Sequence, residues 1–552
     1  MNGPRPFSED LLIMSIQDIR TQFRDHFRWI AYAIAGIFII GAIWQFGAAP
    51  QMRKETDEDI IAKVGKEPLT RDEFDKTWAQ ASENASRYGM NSTKQLADYK
   101  QQVFLQMVQS KKLIELAEKS VIKIKEKDID AKLDEIIVEQ LKQNRQAVLG
   151  KISKEQEKLD PRKDKAYLSE LSKNGMSINT IVEQVKSMND RSAVKAQIAA
   201  EKFGDIMKAK ADAVTDADIE NSYTVYKIRE IFIPSVGGEE QASAKADKIY
   251  KEALAGTDFA KLAKENSGDG MKNNGGAYDL SFDTQYMLGT EVYDAVTQLE
   301  KGKISPVIKS DRGYYIVKLE DTEKKLPEKF DKKAKDERKE QLKSRIQYAE
   351  SSKLQKELMS TTGVTVKDKE YEGYWHLFLA QMGMGDEDTM KKEQNLALAC
   401  FEAAYKADPS NDCAAVKYVE CLKAAGKTDE AGKLLYTLLN GESSMVQGAD
   451  LNMELAEYLN SKGDAQSKEE ALKQYLAASD AAIDDIGIHT QLKSIFTNLG
   501  KADLAAKEAK WIETYNAQME EQRAKEEAAR AKAEAEQKAK EAADKAKAED
   551  KA

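Results

Sequence analysis

The chain has 552 residues, 33% of them charged, and a formal net charge of −10. Its 9 Pro and 30 Gly exclude a collagen-like or Pro-rich chain, and its acidic balance excludes a nucleic-acid binder, which needs clustered Lys and Arg. Three Cys (Cys400, Cys413, Cys421) without CxxC spacing and three scattered His (His26, His376, His489) give no reason to expect a metal, a cofactor or a His-based triad.

The mean hydropathy is −0.62. One segment departs from it: residues 29–52 carry no charge. At about 1.5 Å per residue this stretch is long enough for ~30 Å of hydrocarbon. It predicts a transmembrane anchor at 29–49 with a cytoplasmic tail at 1–28; a cleaved signal peptide is the alternative. Arg20, Arg24 and Arg28 precede the segment, and Arg53 and Lys54 follow it, so the flanking charges nearly cancel. Short tails obey the positive-inside rule better than long domains. The expected location is therefore the inner (cell) membrane, single-pass, with the bulk of the chain periplasmic.

Residues 60–70 read as a short apolar strand, a turn and a helix start, with Thr70 and Glu73 at capping-box spacing. Tyr99, Val103, Met107, Leu113 and Leu116 recur at roughly helical spacing over 96–117. Further helices are predicted near 127–149, 164–173 and 178–210, with a break at Pro161; Asp216 and Asp218 open a short one. Then the texture changes. Residues 227–233 alternate like a strand, helices follow at 240–255 and 258–265, and a Gly/Asn-rich loop spans 267–277. A short extended piece, a helix at 290–299 and strands at 303–310 and 314–319 complete a small α+β domain. Beyond it lie a helix at 331–359 and a strand-like Val364–Val366.

The small domain carries five motifs in order. They are Ile228-Arg229-Glu230-Ile231-Phe232-Ile233; Asp258-Phe259-Ala260 with Leu262-Ala263; Ser267-Gly268-Asp269 followed by Asn274-Gly275-Gly276; Gly302-Lys303-Ile304-Ser305-Pro306-Val307; and Gly313-Tyr314-Tyr315-Ile316-Val317. Together they resemble a parvulin-type peptidyl-prolyl isomerase domain over 224–321. The flanks, from Val64-Gly65-Lys66-Glu67-Pro68-Leu69-Thr70 to 222, resemble the N-terminal chaperone domain of SurA-, PpiD- and PrsA-type foldases. That resemblance implies a discontinuous chaperone domain, 57–222 completed by 325–368.

It also implies a site. Rotation about an X-Pro amide needs an apolar socket for the ring and polar groups that favour the twisted amide. The family's two floor histidines correspond to Glu230 and Tyr315, and its Cys/Asp position to Asp269. The socket positions fall at Met287, Val292 and Thr297. Both histidines are thus replaced, which implies a degenerate active site in which Asp269, Glu230 and Tyr315 are the catalytic candidates.

Residues 371–515 repeat. Ala397-x3-Phe401-x2-Ala404, Ala431-x3-Leu435 and Ala471-x3-Tyr475-x2-Ala478 share one pattern, Ala505 follows, and the turn glycines Gly426, Gly463 and Gly500 are evenly spaced. They resemble tetratricopeptide repeats, an α-solenoid that offers a concave face to a protein partner. Residues 520–552 are rich in Ala, Lys and Glu and predict a solvated helix or disordered tail.

The whole predicts a multidomain, mainly α chain: a membrane-anchored extracytoplasmic chaperone or foldase that captures unfolded or nascent exported polypeptides. An active isomerase and a repeat scaffold for envelope assembly are the competing readings.

Overall fold

The computed structural model describes residues 59–549, apart from 88, 236–237, 311, 383–386 and 442–444; the side chains of 86–87, 533–534 and 536–549 are likewise not described. The predicted tail at 1–28 and anchor at 29–49 lie outside the described residues. Among the described residues no helix is long and apolar enough to cross a membrane. Two compact units form, one from 59–81 and 102–393, the other from 82–101 and 394–549.

The first unit opens on a hairpin, β1 (Ile60–Val64) and β2 (Glu67–Thr70), and then α1 (Arg71–Arg87). Thr70 and Glu73 cap each other at its start: Thr70 N–H donates to Glu73 Oε2 at 3.0 Å, and Glu73 N–H to Thr70 Oγ1 at 3.3 Å. The helices α2 (Thr93–Lys119), α3 (Glu126–Leu149), α4 (Lys154–Lys158), α5 (Lys165–Lys173), α6 (Ile178–Met188), α7 (Arg191–Asp212) and α8 (Asp216–Asn221) follow. The single helix expected over 178–210 is two. Asn189 ends the first, its side chain donating to Val185 O at 2.8 Å, and Asp190 caps the second, accepting from Ser192 N–H at 2.6 Å and Ala193 N–H at 3.4 Å.

The small domain has β3 (Thr224–Pro234), α9 (Glu239–Leu254), α10 (Phe259–Asn266), β4 (Ala277–Leu280), α11 (Thr290–Thr297), β5 (Ile308–Ser310) and β6 (Gly313–Lys324). Its sheet runs β4-β3-β6-β5, antiparallel throughout. Period-2 alternation sorts the two long strands into faces. Ile231, Ile233, Tyr314 and Ile316 bury against α9 and α10, whereas Ile228, Tyr315, Val317 and Leu319 bury with Leu280, Val292 and Val296. The strand expected over 303–310 shrinks to 308–310, with an isolated bridge from Ile304 to Lys318. Pro306 has no N–H to continue the ladder, and Ser305 Oγ instead accepts from Val317 N–H at 3.0 Å.

From there α12 (Lys332–Met359) leads to β7 (Val364–Val366), which pairs with β1. Gly65, at φ +58°, turns the hairpin and donates its N–H to Gly363 O at 2.8 Å. In α13 (Lys369–Met382), the buried Tyr371 meets Phe74 edge-on at 4.8 Å between centroids and Phe104 at 5.2 Å. Each such ring, fully buried, contributes about 2–3 kcal/mol. The chain returning after the small domain thus closes the sheet and the aromatic core in which the first residues of the unit take part.

The second unit is helical: the latter part of α14 (Glu387–Ala407), then α15 (Asp412–Ala424), α16 (Thr428–Asn440), α17 (Ala449–Ser461), α18 (Ala465–Ala481), α19 (Ile486–Asn498) and α20 (Ala502–Glu549). Successive helices pack in hairpins, α15 on α16, α17 on α18 and α19 on α20. Gly426, Gly463 and Gly500 all take left-handed φ, +75°, +77° and +69°, just past helix ends, where glycine is favoured. Ala397, Ala431, Ala471 and Ala478 are buried. The tail beyond 520 continues α20 as helix to Glu549.

Candidate functional site

The site sits on one face of β3 and β6. Phe232 pairs with Tyr315 and Glu230 with Val317, so alternation brings all four side chains to the same face. The loop after α10 folds onto β3 through two glycines. Gly268 N–H donates to Phe232 O at 2.7 Å, and a Cβ there would meet Pro234 Cδ at 2.6 Å. Gly276, at φ +78°, accepts from Glu230 N–H at 2.8 Å, and a Cβ would lie 2.2 Å from Glu230 O. Only residues without a side chain let the loop approach this closely.

That approach positions Asp269. Its Oδ1 accepts from Ser267 Oγ at 2.9 Å and from Met271 N–H at 3.2 Å, while Ser267 Oγ accepts from Phe232 N–H at 3.0 Å. Asp269 therefore caps the short turn Gly270–Asn274 and ties it to β3.

Glu230 is fully buried, and neither carboxyl oxygen has a hydrogen-bond partner. Burial first, and the neighbouring Asp269 carboxylate second, push its pKa up to about 9, against the opposing field of Arg312. Glu230 is thus a neutral acid at pH 7, an O–H donor rather than a base. Protonated, it is a poor cation ligand, and the two carboxyl groups carry one negative charge between them.

Tyr315 is 1% exposed and stacks on Phe232 at 4.7 Å between centroids. Burial raises its phenol pKa, while Arg312 opposes the shift by charge and hydrogen bond. Arg312 Nη2 donates both to Tyr315 OH and to Met287 O, each at 2.6 Å. Met287 ends the turn Gln285–Met287 and is 47% exposed, and its neighbour Tyr286 is 75% exposed.

The structure brings Glu230, Asp269, Tyr315 and Met287 together. It does not bring Val292 or Thr297 to the surface of this pocket. Val292 is fully buried in the layer that supports Tyr315. Thr297 donates to Asp294 O at 2.8 Å and lines a separate cleft of about 500 Å³ with Tyr226, Tyr293 and Leu342. Sequence reasoning missed Arg312, Phe232 and Tyr286. Phe232 was legible as the alternating partner of Glu230; Arg312, next to Asp311 in a short hairpin connection, carries no distinguishing sequence pattern.

Comparison with known proteins defines the class first. The PPIC-type PPIase domain family matches residues 207–323, and the SurA-like N-terminal domain family matches 20–188. Foldase protein PrsA 4 of Bacillus cereus is 31% identical over 254 residues, which is 45% of this chain and 81% of that protein. The chain belongs to the PrsA-type foldase family. Foldase protein PrsA of a Geobacillus strain is 29% identical over 36% of this chain and 68% of its own length. Chaperone SurA of Chromohalobacter salexigens is 23% identical over 53% of this chain and 62% of its own. The solved structure of peptidylprolyl isomerase (PrsA) from Bacillus anthracis matches at 18% identity, over 48% of this chain and 98% of that one, with a TM-score of 0.19, too low to draw on.

Proposed function

We propose that this protein is a membrane-anchored, extracytoplasmic chaperone that captures unfolded exported polypeptides, and that its PPIC-type domain has become chiefly a binding module. The observation that carries this reading is Glu230, a fully buried acid set against the Asp269 carboxylate at a position where the resembled family holds a histidine. Asp269 is committed to its own loop, and Tyr315 OH already accepts from Arg312. What remains open to a client is the exposed pair Tyr286 and Met287, a pattern suited to weak capture of apolar segments. Residues 29–49 would hold this module at the membrane. The hairpins of the second unit are read as tetratricopeptide-like repeats that dock a protein partner; repeat scaffolding for envelope assembly is the reading this one displaces.

An active isomerase has one observation in its favour. The neutral Glu230 carboxyl and the Arg312-polarised Tyr315 hydroxyl are two O–H groups on one face; both are buried, so they would stabilise a twisted amide only where the pocket floor opens to admit it. A proline-isomerisation assay decides. The binding reading expects little rate enhancement and none that Asp269→Ala removes, together with delayed aggregation of an unfolded client. Clear Asp269-dependent turnover would overturn it in favour of the enzyme; failure to delay aggregation would sink the chaperone claim.

A further inference from the structure

The turn that carries Tyr286 and Met287 draws little support from its own backbone. It is a single turn, Gln285–Met287, closed by Met287 N–H on Thr284 O at 3.1 Å and Gly289 N–H on Gln285 O at 2.8 Å. Tyr286 and Met287 are both exposed, so packing does little to hold either. A turn of this kind has weak internal bonding and takes its position from what lies against it. Arg312 holds its far end through Met287 O. Its near end is held by α12. Arg345 Nε donates to Gln285 Oε1 at 2.6 Å, and Gln285 Nε2 donates onward to Phe282 O at 2.7 Å. The same guanidinium pairs through Nη2 with Asp294 and lies over the Tyr293 ring at 5.0 Å.

Two further cations of α12 flank this contact. Arg338 pairs with Asp283, and Lys356 Nζ with Glu291 Oε1 at 3.1 Å. Positions 338, 345 and 356 are seven and eleven apart and so share one face of a helix. Together they grip 283–294, the segment that presents the exposed pair, and Arg345 bonds to the turn itself. We infer that Arg345 is a positioning residue of the client site: it fixes the turn that presents Tyr286 and Met287 without touching the client. The inference rests on the reading that this pair captures apolar segments. Because α12 runs on to β7, which pairs with β1, capture on the small domain is linked through α12 to the sheet of the chaperone domain.

The test is a double-mutant cycle in the full chain, read by the fluorescence anisotropy of a labelled apolar peptide, Ser-Phe-Leu-Pro-Phe-Leu-Ser. Arg345→Met should weaken binding about threefold to tenfold and Gln285→Met by a smaller factor, as the loss of one charge-assisted contact allows. The double variant should bind no more weakly than Arg345→Met alone, because both act through one bond. Arg345→Lys, which keeps a charge for Asp294 but has no planar fork, should restore part of the affinity. Amide exchange separates positioning from general loosening: Arg345→Met should speed exchange at Met287 and Gly289 while the amides that pair β3 with β6 keep their protection. Additive losses, an unchanged affinity in Arg345→Met, or exchange that rises equally in the turn and the sheet overturns the inference. Should Arg345→Met fail to fold, Gln285→Met carries the test, and unchanged affinity there overturns the inference. If Met287→Ala weakens binding and Arg345→Met does not, the capture reading stands and only the positioning fails. If no peptide binds, or binding ignores Met287→Ala, the capture reading fails and the inference falls with it.

Discussion

His489 and Glu508 form a buried pair between α19 and α20, each side chain 2% exposed. His489 Nε2 lies 2.7 Å from Ala482 O, which only accepts, so Nε2 carries a proton. The contact of Nδ1 with Glu508 Oε2 then needs a second proton between ring and carboxylate. Ser479 Oγ donates to the other carboxylate oxygen at 2.8 Å, and Trp511 stacks on the imidazole at 3.5 Å. His489→Ala strands a buried carboxylate and should cost about 3–5 kcal/mol in urea unfolding of the second unit. Glu508→Gln should cost only about 1 kcal/mol, because its amide donates to a neutral Nδ1 and its carbonyl still accepts from Ser479. Equal losses for the two would show that packing, not the proton, holds the site.

Glu230 sets a pH dependence of opposite sign to the usual surface carboxylate. Its folded pKa, about 9, lies above the ordinary 4.5, so the unfolded chain releases its proton first as pH rises. The group's contribution is complete below pH 4.5 and is lost progressively up to about 9. Between pH 5 and 7 the loss should be on the order of 2–3 kcal/mol. Glu230→Gln keeps the volume and cannot ionise. It should flatten the curve and leave the protein more stable than wild type at pH 8, measured by denaturant midpoints across the range. A wild-type slope unchanged by Glu230→Gln would place the titration elsewhere.

What was legible in the sequence follows from how local each signal is. The Thr70–Glu73 cap depends on four consecutive residues and forms as its spacing dictates. The repeat glycines are legible because a left-handed residue after a helix tolerates little else. β2 was not, since it is a four-residue edge strand containing Pro68, held by its pairing with β1 and not by its composition. Asp190 was hidden inside a continuous helical periodicity that tolerates one turn of slip. At the candidate site, Glu230 and Asp269 were placed by motif order, whereas the role of Arg312 depends on Met287 and Tyr315 converging from distant positions. Thr297 shows the reverse failure: a position carried over by alignment past an insertion falls on another face.

Arg338 is the anchor of α12 on the small domain. It is buried, pairs in bidentate fashion with Asp283 at 2.7 and 2.9 Å, and lies over the rings of Tyr223 at 4.2 Å and Phe282 at 4.9 Å. Asp283 is 64% exposed, so the ion pair alone is worth little. The planar stacking and the buried stem carry the effect. Arg338→Ala should therefore destabilise the first unit by about 1–3 kcal/mol, and Arg338→Lys should recover less than half, because an ammonium neither forks nor stacks as guanidinium does. Full rescue by Lys in thermal unfolding would reassign the contribution to charge.

Gly432 tests the close packing of the repeat hairpins. It lies within α16, where glycine normally costs about 1 kcal/mol relative to alanine. Helix propensity alone therefore predicts that Gly432→Ala stabilises the protein. A Cβ at this position, however, would fall 2.3 Å from Cδ1 and Cγ of Tyr458 on α17. The ring is not free to swing away, since its hydroxyl donates to Asp429 Oδ1 at 2.7 Å and Lys462 covers its face at 4.6 Å. Overpacking of this kind costs about 1–3 kcal/mol and outweighs the propensity gain. Gly432→Ala should thus lower the unfolding midpoint of the second unit, and Tyr458→Ala in the same chain should turn the alanine from destabilising to stabilising. If Gly432→Ala is stabilising with Tyr458 intact, α16 and α17 do not approach as closely as the glycine implies.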